Sequence, residues 1–434
     1  MFVSNNIGII ADDLTGANDT ALQFHNHGCN TQLILELCNE IANKDLIQCW
    51  AISTESRNIP SFEAVDAVCD ATAFMKSELN IEHFYKKIDS TLRGNIAKET
   101  LAMLGVLGAD AAIIAPAFPN EGRVTVGGYQ LLKGVPIERT EMARDPYSPI
   151  YESHIPTILE RQLTEEEKGL IGLIELRTVI KGAGPILMKL NELIKDGKKL
   201  IVVDAVSTVD LEQIILATVK SSYNILPCGA AALAQGYSKV WLPDVKYQHI
   251  QKTIPELPKL VISGSATELT ATQIRKLEED DDFLNTYFVP LRIEDVMEGV
   301  TDEIVERVVK NLGSSNIVVV HSSNIAINPD ADGNALLLQG ITKERFLSMI
   351  TTYLAELTQK VLEKASFILI TLGGETSYKC NQSVDSKVLH IIDSVAPAMP
   401  LCMNYNAQWI VTKSGNLGNS MTLVDILKYF DIHK

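Results

Sequence analysis

Short apolar runs recur along the chain, each closed by a small-residue or polar turn and most followed by a stretch of helical periodicity. The first sets the pattern. Ile7, Ile9 and Ile10 read as a buried strand that delivers Asp12 and Asp13 into a turn marked by Thr15 and Gly16. A helix is predicted from Ala17 to about His27, with Gly28 as its C-cap. Further strands are predicted at Thr31–Leu37, Gln48–Ser53, His83–Ile88, Asp110–Ala115 and Leu200–Val203, the last ending on Asp204, and Pro60 opens a long helix. A fresh strand at Lys259–Ser263 repeats the opening arrangement of strand, small-residue turn and helix. Strands at Asn316–His321, Phe367–Thr371, His390–Asp393 and Trp409–Val411 follow it.

Alternation of this kind predicts α/β architecture with mostly parallel sheets. At 434 residues the chain is too long for one ordinary core. Pro243, Pro255 and Pro258 punctuate residues 236–258, a candidate linker and hinge. The expectation is two α/β domains, residues 1–240 and 258–434, with a cleft between them.

Composition narrows the partners. A net charge of -16 disfavours nucleic acid or an anionic membrane as partner. No apolar run is long enough to span a bilayer, and Met1–Asn6 lacks the basic and apolar regions of a signal peptide. The 7 cysteines are odd in number, dispersed and without a Cys-x-x-Cys, so neither a disulfide framework nor a zinc site is suggested. A reducing cytoplasm fits.

Candidate chemistry gathers at the ends of predicted strands, where open α/β sheets bind ligands. Two adjacent carboxylates, Asp12 and Asp13, are costly there unless a cation, a metal or substrate hydroxyls occupy the site; an N-cap beside a solvated Asp is the plainer alternative. The run is offset from the Asp-x-Asp pattern of haloacid-dehalogenase phosphatases: Ala11 falls on the nucleophile position and cannot form an aspartyl-phosphate. A second site follows His83–Ile88, where Lys87, Ile88, Asp89, Ser90, Thr91, Arg93, Gly94 and Asn95 mix cations, an acid and hydroxyls. That mixture suits an acidic, hydroxylated substrate; a capped helix start with a surface ion pair would also explain it. In the Ser53–Arg57 loop, Arg57 could fork onto a carboxylate or lie on the surface.

Three small-residue turns follow strands in the second half: Ser263–Thr267, Thr371–Ser377 and Lys413–Gly418. Backbone amides at such turns bind phosphate oxygens, although neither a Walker A nor a Gly-x-Gly-x-x-Gly pattern is present. The stretch Asn120–Tyr147 reads as an irregular excursion with a hairpin, Tyr129–Leu132 and Val135–Glu138 around Lys133-Gly134. It is a candidate for closing over a ligand or for a homodimer contact. For His154 and His321 a structural role outweighs acid–base chemistry.

Taken together, Ala11–Ala17, Lys87–Asn95, Ala115–Pro119, Gly127–Tyr129, Ser263–Ser265, Gly373–Thr376 and Lys413–Gly415 resemble, in order and over nearly the whole chain, the four-carbon acid sugar kinases. Glu141–Pro146 is similar to the D-threonate/D-erythronate branch more than to the 3-oxo-tetronate branch, and Leu417 stands where the family has Phe. The resemblance implies ATP- and Mg²⁺-dependent phosphorylation of the terminal hydroxyl of a four-carbon sugar acid. It implies an N-terminal sugar-acid-binding domain with substrate contacts at Asp12, Arg57, Lys87, Ile88, Asp89 and Ser90. Asp12 or Asp89 would orient the hydroxyl and could accept its proton, and Arg57 and Lys87 would anchor the substrate carboxylate or neutralise phosphoryl charge. It implies a C-terminal ATP-binding domain with contacts at Ser263, Gly373, Gly374, Glu375, Thr376, Lys413, Ser414, Gly415 and Asn416. Metal ligands stay unassigned. The alternatives are a kinase of 3-oxo-tetronate or another small hydroxy-acid, or a non-catalytic sugar-acid sensor.

Overall fold

The computed structural model describes residues 6–38, 41, 44–144, 148–243, 253–327 and 340–432. It separates into two compact units, Met1–Gln248 and His249–Lys434. Asp145–Tyr147, part of the predicted excursion, and 244–252, part of the predicted linker, lie outside the described residues.

In the first unit the sheet strands are β1 (Ile7–Ala11), β2 (Thr31–Ile34), β3 (Cys49–Ser53), β4 (His83–Lys87), β5 (Ala111–Ala115), β9 (Ile171–Ile174), β10 (Leu200–Val203) and β11 (Ile225–Gly229). A separate antiparallel ribbon holds β6 (Arg123–Val126), β7 (Tyr129–Leu132) and β8 (Val135–Pro136). The main strands lie in the order β2-β3-β1-β4-β11-β5-β10-β9, all neighbours parallel. Central strands covered on both faces are largely apolar, with β4 carrying the buried Lys86 and Lys87 as the exception, and β1 and β10 are buried at every position. Helix Leu14–Asn26 packs on helix Ala231–Trp241, where Phe24 stacks on Trp241 with ring centroids 6.2 Å apart.

The second unit holds β12 (Lys259–Ser263), β13 (Tyr287–Pro290), β14 (Ile317–His321), β15 (Ile368–Leu372), β16 (Val388–Ala396), β17 (Met399–Asn404) and β18 (Trp409–Lys413). Their order is β13-β14-β12-β15-β18-β17-β16; β17 runs antiparallel to both neighbours and the other pairs are parallel. One core gathers Val261, Ile370, Val411, Leu427 and Phe430, and Ile254 and Leu257 pack onto it from the chain just before β12. Among the described residues no helix is long and apolar enough to cross a membrane.

Several expectations needed correction. The first helix starts at Leu14, three residues early, because Asp13 caps it by accepting from Gly16 N at 2.7 Å. The predicted linker begins inside a helix, since Gly236 belongs to Ala231–Trp241. The hairpin strand Val135–Glu138 ends at Pro136, and Ile137–Arg139 forms a 3₁₀ turn. Strands β6, β9, β11, β13 and β17 were not expected. Pro227 and Pro400 break the usual strand signal in β11 and β17. Pro227 is tolerated because β11 pairs with β4 only from Cys228 onward, so that ladder asks nothing of its missing N–H.

Candidate active site

In each unit the chain order reverses beside one strand. The chain leaves β1 toward β3 and returns on the other side as β4; it leaves β12 toward β14 and returns as β15. Crevices outside the carboxyl ends of strands at such points are the ligand sites of open α/β sheets.

At the first of these, three loops are tied together. Thr54 donates through N and Oγ1 to Ala11 O, Arg57 N donates to Asp12 O, and Asn95 Nδ2 donates to Ser56 O and Ile59 O. Gly94 adopts φ +92°, and a Cβ there would meet Asp12 Oδ2 at 3.3 Å and the Arg57 backbone at 3.5 Å. Glycine therefore serves both the turn and the close approach.

Arg57 reaches inward. Its Nε and Nη2 donate to the two oxygens of Asp12 at 2.8 and 3.0 Å, and Nη1 donates to Asp13 Oδ2 at 2.6 Å. The bidentate edge that was expected to meet a substrate carboxylate is thus occupied by Asp12. Burial opposes ionisation of Asp12, but Arg57, with Lys86 and Lys87 behind it, holds its carboxyl below the usual range. Asp89 is similar: against its burial, Arg93 and Arg57 hold it well below the usual range. Its Oδ2 accepts from Thr91 Oγ1 at 2.6 Å and Arg93 Nε at 2.6 Å. Both acids are therefore fixed anions rather than groups tuned near neutrality. Lys87 Nζ donates to Ile88 O at 2.8 Å and lies beside Gly16. The Ser90 carbonyl accepts from Gln130 Nε2 at 2.8 Å, so the β6–β7 ribbon is fastened to this loop.

Four residues of the neighbourhood were not singled out in the sequence: Glu55, Asp19, Gln130 and Arg123. Glu55 is the most informative. It caps the first helix, accepting from Leu14 N at 2.8 Å and from the Ser53 hydroxyl. Burial pushes its carboxyl up to about 7, with the Asp13 charge adding to the rise. Only its place in the Ser53–Arg57 loop could have pointed to it. Because the folded state holds this proton more tightly than the unfolded chain, Glu55 costs stability as pH rises from about 4.5 to about 7. Glu55→Gln keeps the acceptor and removes the charge. It should raise the melting temperature at pH 8, by roughly 1–2 kcal/mol of stability, and have little effect near pH 5. Thermal melts of both proteins across that range check this; an equal shift at both pH values would refute it.

Asp204, His154 and His321 are structural. Asp204 accepts from Gly127 N, Gly128 N and Leu176 N at 2.6, 2.8 and 2.8 Å, holding the ribbon's turn. His154 bonds Thr157 Oγ1 and packs on Tyr129. Burial pulls His321 down to about 4, so it is neutral at physiological pH, and its Nδ1 lies 2.8 Å from Ser323 Oγ.

In the second unit the turns after β12, β15 and β18 converge. Gly373 N donates to Lys413 O at 2.8 Å, and Thr267 Oγ1 and Thr270 Oγ1 donate to Gly415 O at 3.0 and 2.9 Å. A Cβ on Gly264 would lie 2.5 Å from Thr376 Oγ1, and one on Gly415 the same distance from Ser265 Oγ. Helix Gly374–Ser383 begins on Gly373, at φ +114°, with no side-chain cap, which leaves first-turn amides for a ligand. The Ser263 hydroxyl at the end of β12 is buried and has no hydrogen-bond partner among the described residues. Burial pulls Lys413 down to about 8, and its Nζ donates to Ser414 O at 2.7 Å. Glu375 is engaged by Thr351 and Lys379. Leu417 packs on the core, Gln273 Nε2 donates to its carbonyl, and Asn416 lies between it and Gly415.

Comparison with known proteins gives these two constellations a class. Residues 7–237 match the family model of a sugar-binding N-terminal domain, and 260–423 that of a nucleotide-binding C-terminal domain. Together they describe a small-molecule kinase. The chain belongs to the four-carbon acid sugar kinase family. It is 30% identical to a D-erythronate kinase of Heliobacterium modesticaldum, over 98% of this chain and 97% of the relative. It is 29% identical to a D-threonate kinase of Salmonella typhimurium, over 98% of each. A crystal structure of a Haemophilus influenzae protein from a domain-of-unknown-function family superposes with a TM-score of 0.75 at 27% identity, covering 98% of this chain and 100% of that one.

Proposed function

We propose that this protein transfers the γ-phosphoryl group of ATP to the terminal hydroxyl of D-erythronate or D-threonate. The observation that carries the reading is the gathering of Asp12, Asp13, Arg57, Lys87 and Asp89 at the strand ends beside β1. Fixed anions beside cations suit a polyhydroxylated acid. The names of the two relatives point to the same substrate class.

The chemistry needs positioning and charge stabilisation more than covalent help. The terminal oxygen bonds to the γ-phosphorus, the bond to the β–γ bridging oxygen breaks, and ADP leaves. Asp12, held in place by Arg57, orients the hydroxyl and receives its proton as the transfer completes. Its low proton affinity suits a late transfer, when the hydroxyl has become acidic. Asp89 and Ser90 position the remaining hydroxyls. Phosphate oxygens are received by the amides that open helix Gly374–Ser383, by Ser263 Oγ and by the Lys413–Asn416 turn. Mg²⁺ accompanying ATP would supply positive charge that offsets the phosphates. Among the described residues no three His, Cys, Asp or Glu groups gather as a metal site, so this structure assigns it no protein ligands.

ADP release coupled to a panel of three- to six-carbon sugar acids tests the reading. Turnover is expected with D-erythronate or D-threonate and to depend on Mg²⁺. Turnover with none of the four-carbon acids, from folded protein that binds ATP, overturns it. A best substrate outside the four-carbon series would move the assignment to another hydroxy-acid.

A further inference from the structure

We propose that Arg123 is the residue that grips the carboxylate of the acid substrate, an assignment that rests on the kinase reading above. A sugar-acid kinase must tell its substrate from the uncharged polyol, and a guanidinium fork is the side chain best matched to a carboxylate. Most of the cations around the β1 crevice are already engaged. Arg57 presents its bidentate edge to Asp12 and its remaining nitrogen to Asp13. Arg93 Nε is held by Asp89, Lys86 by Glu99 at 2.7 Å in a fully buried pair, and Lys87 by the Ile88 carbonyl.

Arg123 differs. Its Nε is buried and has no hydrogen-bond partner among the described residues. Such a donor is costly unless something bonds to it. Its backbone is fixed by a two-way pairing with Phe118, at 2.8 and 3.1 Å. It opens β6, whose partner strand carries the Gln130 that clamps Ser90 O, so the ribbon bearing Arg123 is fastened to the expected substrate loop. Side chains alternate along a strand, so Arg123 stands on the same face of β6 as Thr125, whose hydroxyl donates to the amide of the Gln130 that clamps Ser90 O. Among the described residues Arg123 Nε donates to no acceptor, Asp19 included. The Asp19 carboxylate accepts from Gln23 Nε2 at 3.4 Å, and burial pushes it up to about 6. Arg123 thus places an unsatisfied guanidinium donor on the ribbon that is fastened to the Lys87–Ser90 loop. The irregular excursion of the sequence thereby acquires a ligand-binding role within its own unit.

The test compares the better of the two four-carbon acids with its neutral carboxamide, in wild type, Arg123→Gln and Arg123→Lys. Loss of a charge-assisted, forked contact should raise KM for the acid roughly 10- to 100-fold. KM for ATP and kcat should stay within a few-fold. The preference of wild type for acid over carboxamide should vanish in Arg123→Gln and survive in part in Arg123→Lys, which keeps the charge without the fork. An unchanged acid KM in Arg123→Gln, or an equal loss for acid and carboxamide, overturns the assignment while leaving the kinase reading intact. Should Arg123→Gln not fold, the acid-to-carboxamide ratio of Arg123→Lys decides, and a wild-type ratio there overturns it. Wild-type protein inactive on every four-carbon acid overturns the kinase reading, and this assignment falls with it.

Discussion

Asp12→Asn should lower kcat by about 10²–10⁴-fold while leaving the dissociation constant for ATP within a few-fold of wild type. Three features of Asp12 give it this leverage. It lies at the carboxyl end of β1, it is nearly inaccessible at 3% exposure, and both of its oxygens are fixed by Arg57. The amide presents one acceptor and one donor to a guanidinium that only donates, so the fork cannot be met in the same way. Arg57 would then turn toward Asp13, and the hydroxyl acceptor would lose its orientation. Protein stability falls too, because a buried charge loses part of its partner, at a cost of about 3–5 kcal/mol when a fully buried pair is broken. Arg57 is 12% exposed at its side chain, so a smaller loss is expected. The kinetic effect separates from unfolding by assaying below the variant's melting temperature, with ATP affinity measured by calorimetry on the same preparation. Near-normal kcat would reduce the Asp12–Arg57 pair to a loop tie.

The second large effect is expected at the nucleotide turns. Gly373→Val should abolish nucleotide binding, with at least a 100-fold weaker dissociation constant, while sugar-acid binding is retained. Gly373 occupies φ +114°, a region a β-branched residue does not adopt without strain of about 1–3 kcal/mol. A Cβ there would also lie 3.1 Å from Thr376 Oγ1 and 3.5 Å from Ser265 N. The side chain would project into the meeting point of two turns and in front of the amides that open helix Gly374–Ser383. Phosphate contact by backbone amides needs close approach, so occlusion acts on affinity directly rather than only through stability. Calorimetric titration with ATP and separately with D-erythronate distinguishes the two sites. Undiminished ATP affinity would remove the Gly373–Thr376 turn from the phosphate site.

Much of this protein was readable in its chain because the relevant signals are local. A parallel strand buried on both faces is commonly a continuous apolar run, and Ile7–Ala11, Ala111–Ala115 and Leu260–Ile262 carry that mark. A strand end followed by small or acidic residues marks a βα turn, and so the Asp12, Asp89, Ser263, Gly373 and Lys413 turns could be found from order alone. Strands carrying proline escaped, because the sequence shows the missing N–H but not that Pro227 precedes the point where its neighbour's ladder begins.

What only the tertiary structure decided is which polar groups meet which. The sequence leaves Arg57 open between a fork for a carboxylate and a surface charge; 45 positions separate it from Asp12, and only the adjacency of β1 and β3 brings the two into a bidentate pair. Glu55 and Arg123 look like surface charges in a polar loop and at a turn, yet burial lifts the proton affinity of one and leaves the other's Nε without a partner among the described residues. Local patterning fixes where strands end, since backbone conformation and side-chain alternation act over a few residues. The electrostatic character of a site depends on desolvation and on charges brought together across the sheet, and those exist only after the strands have taken their order.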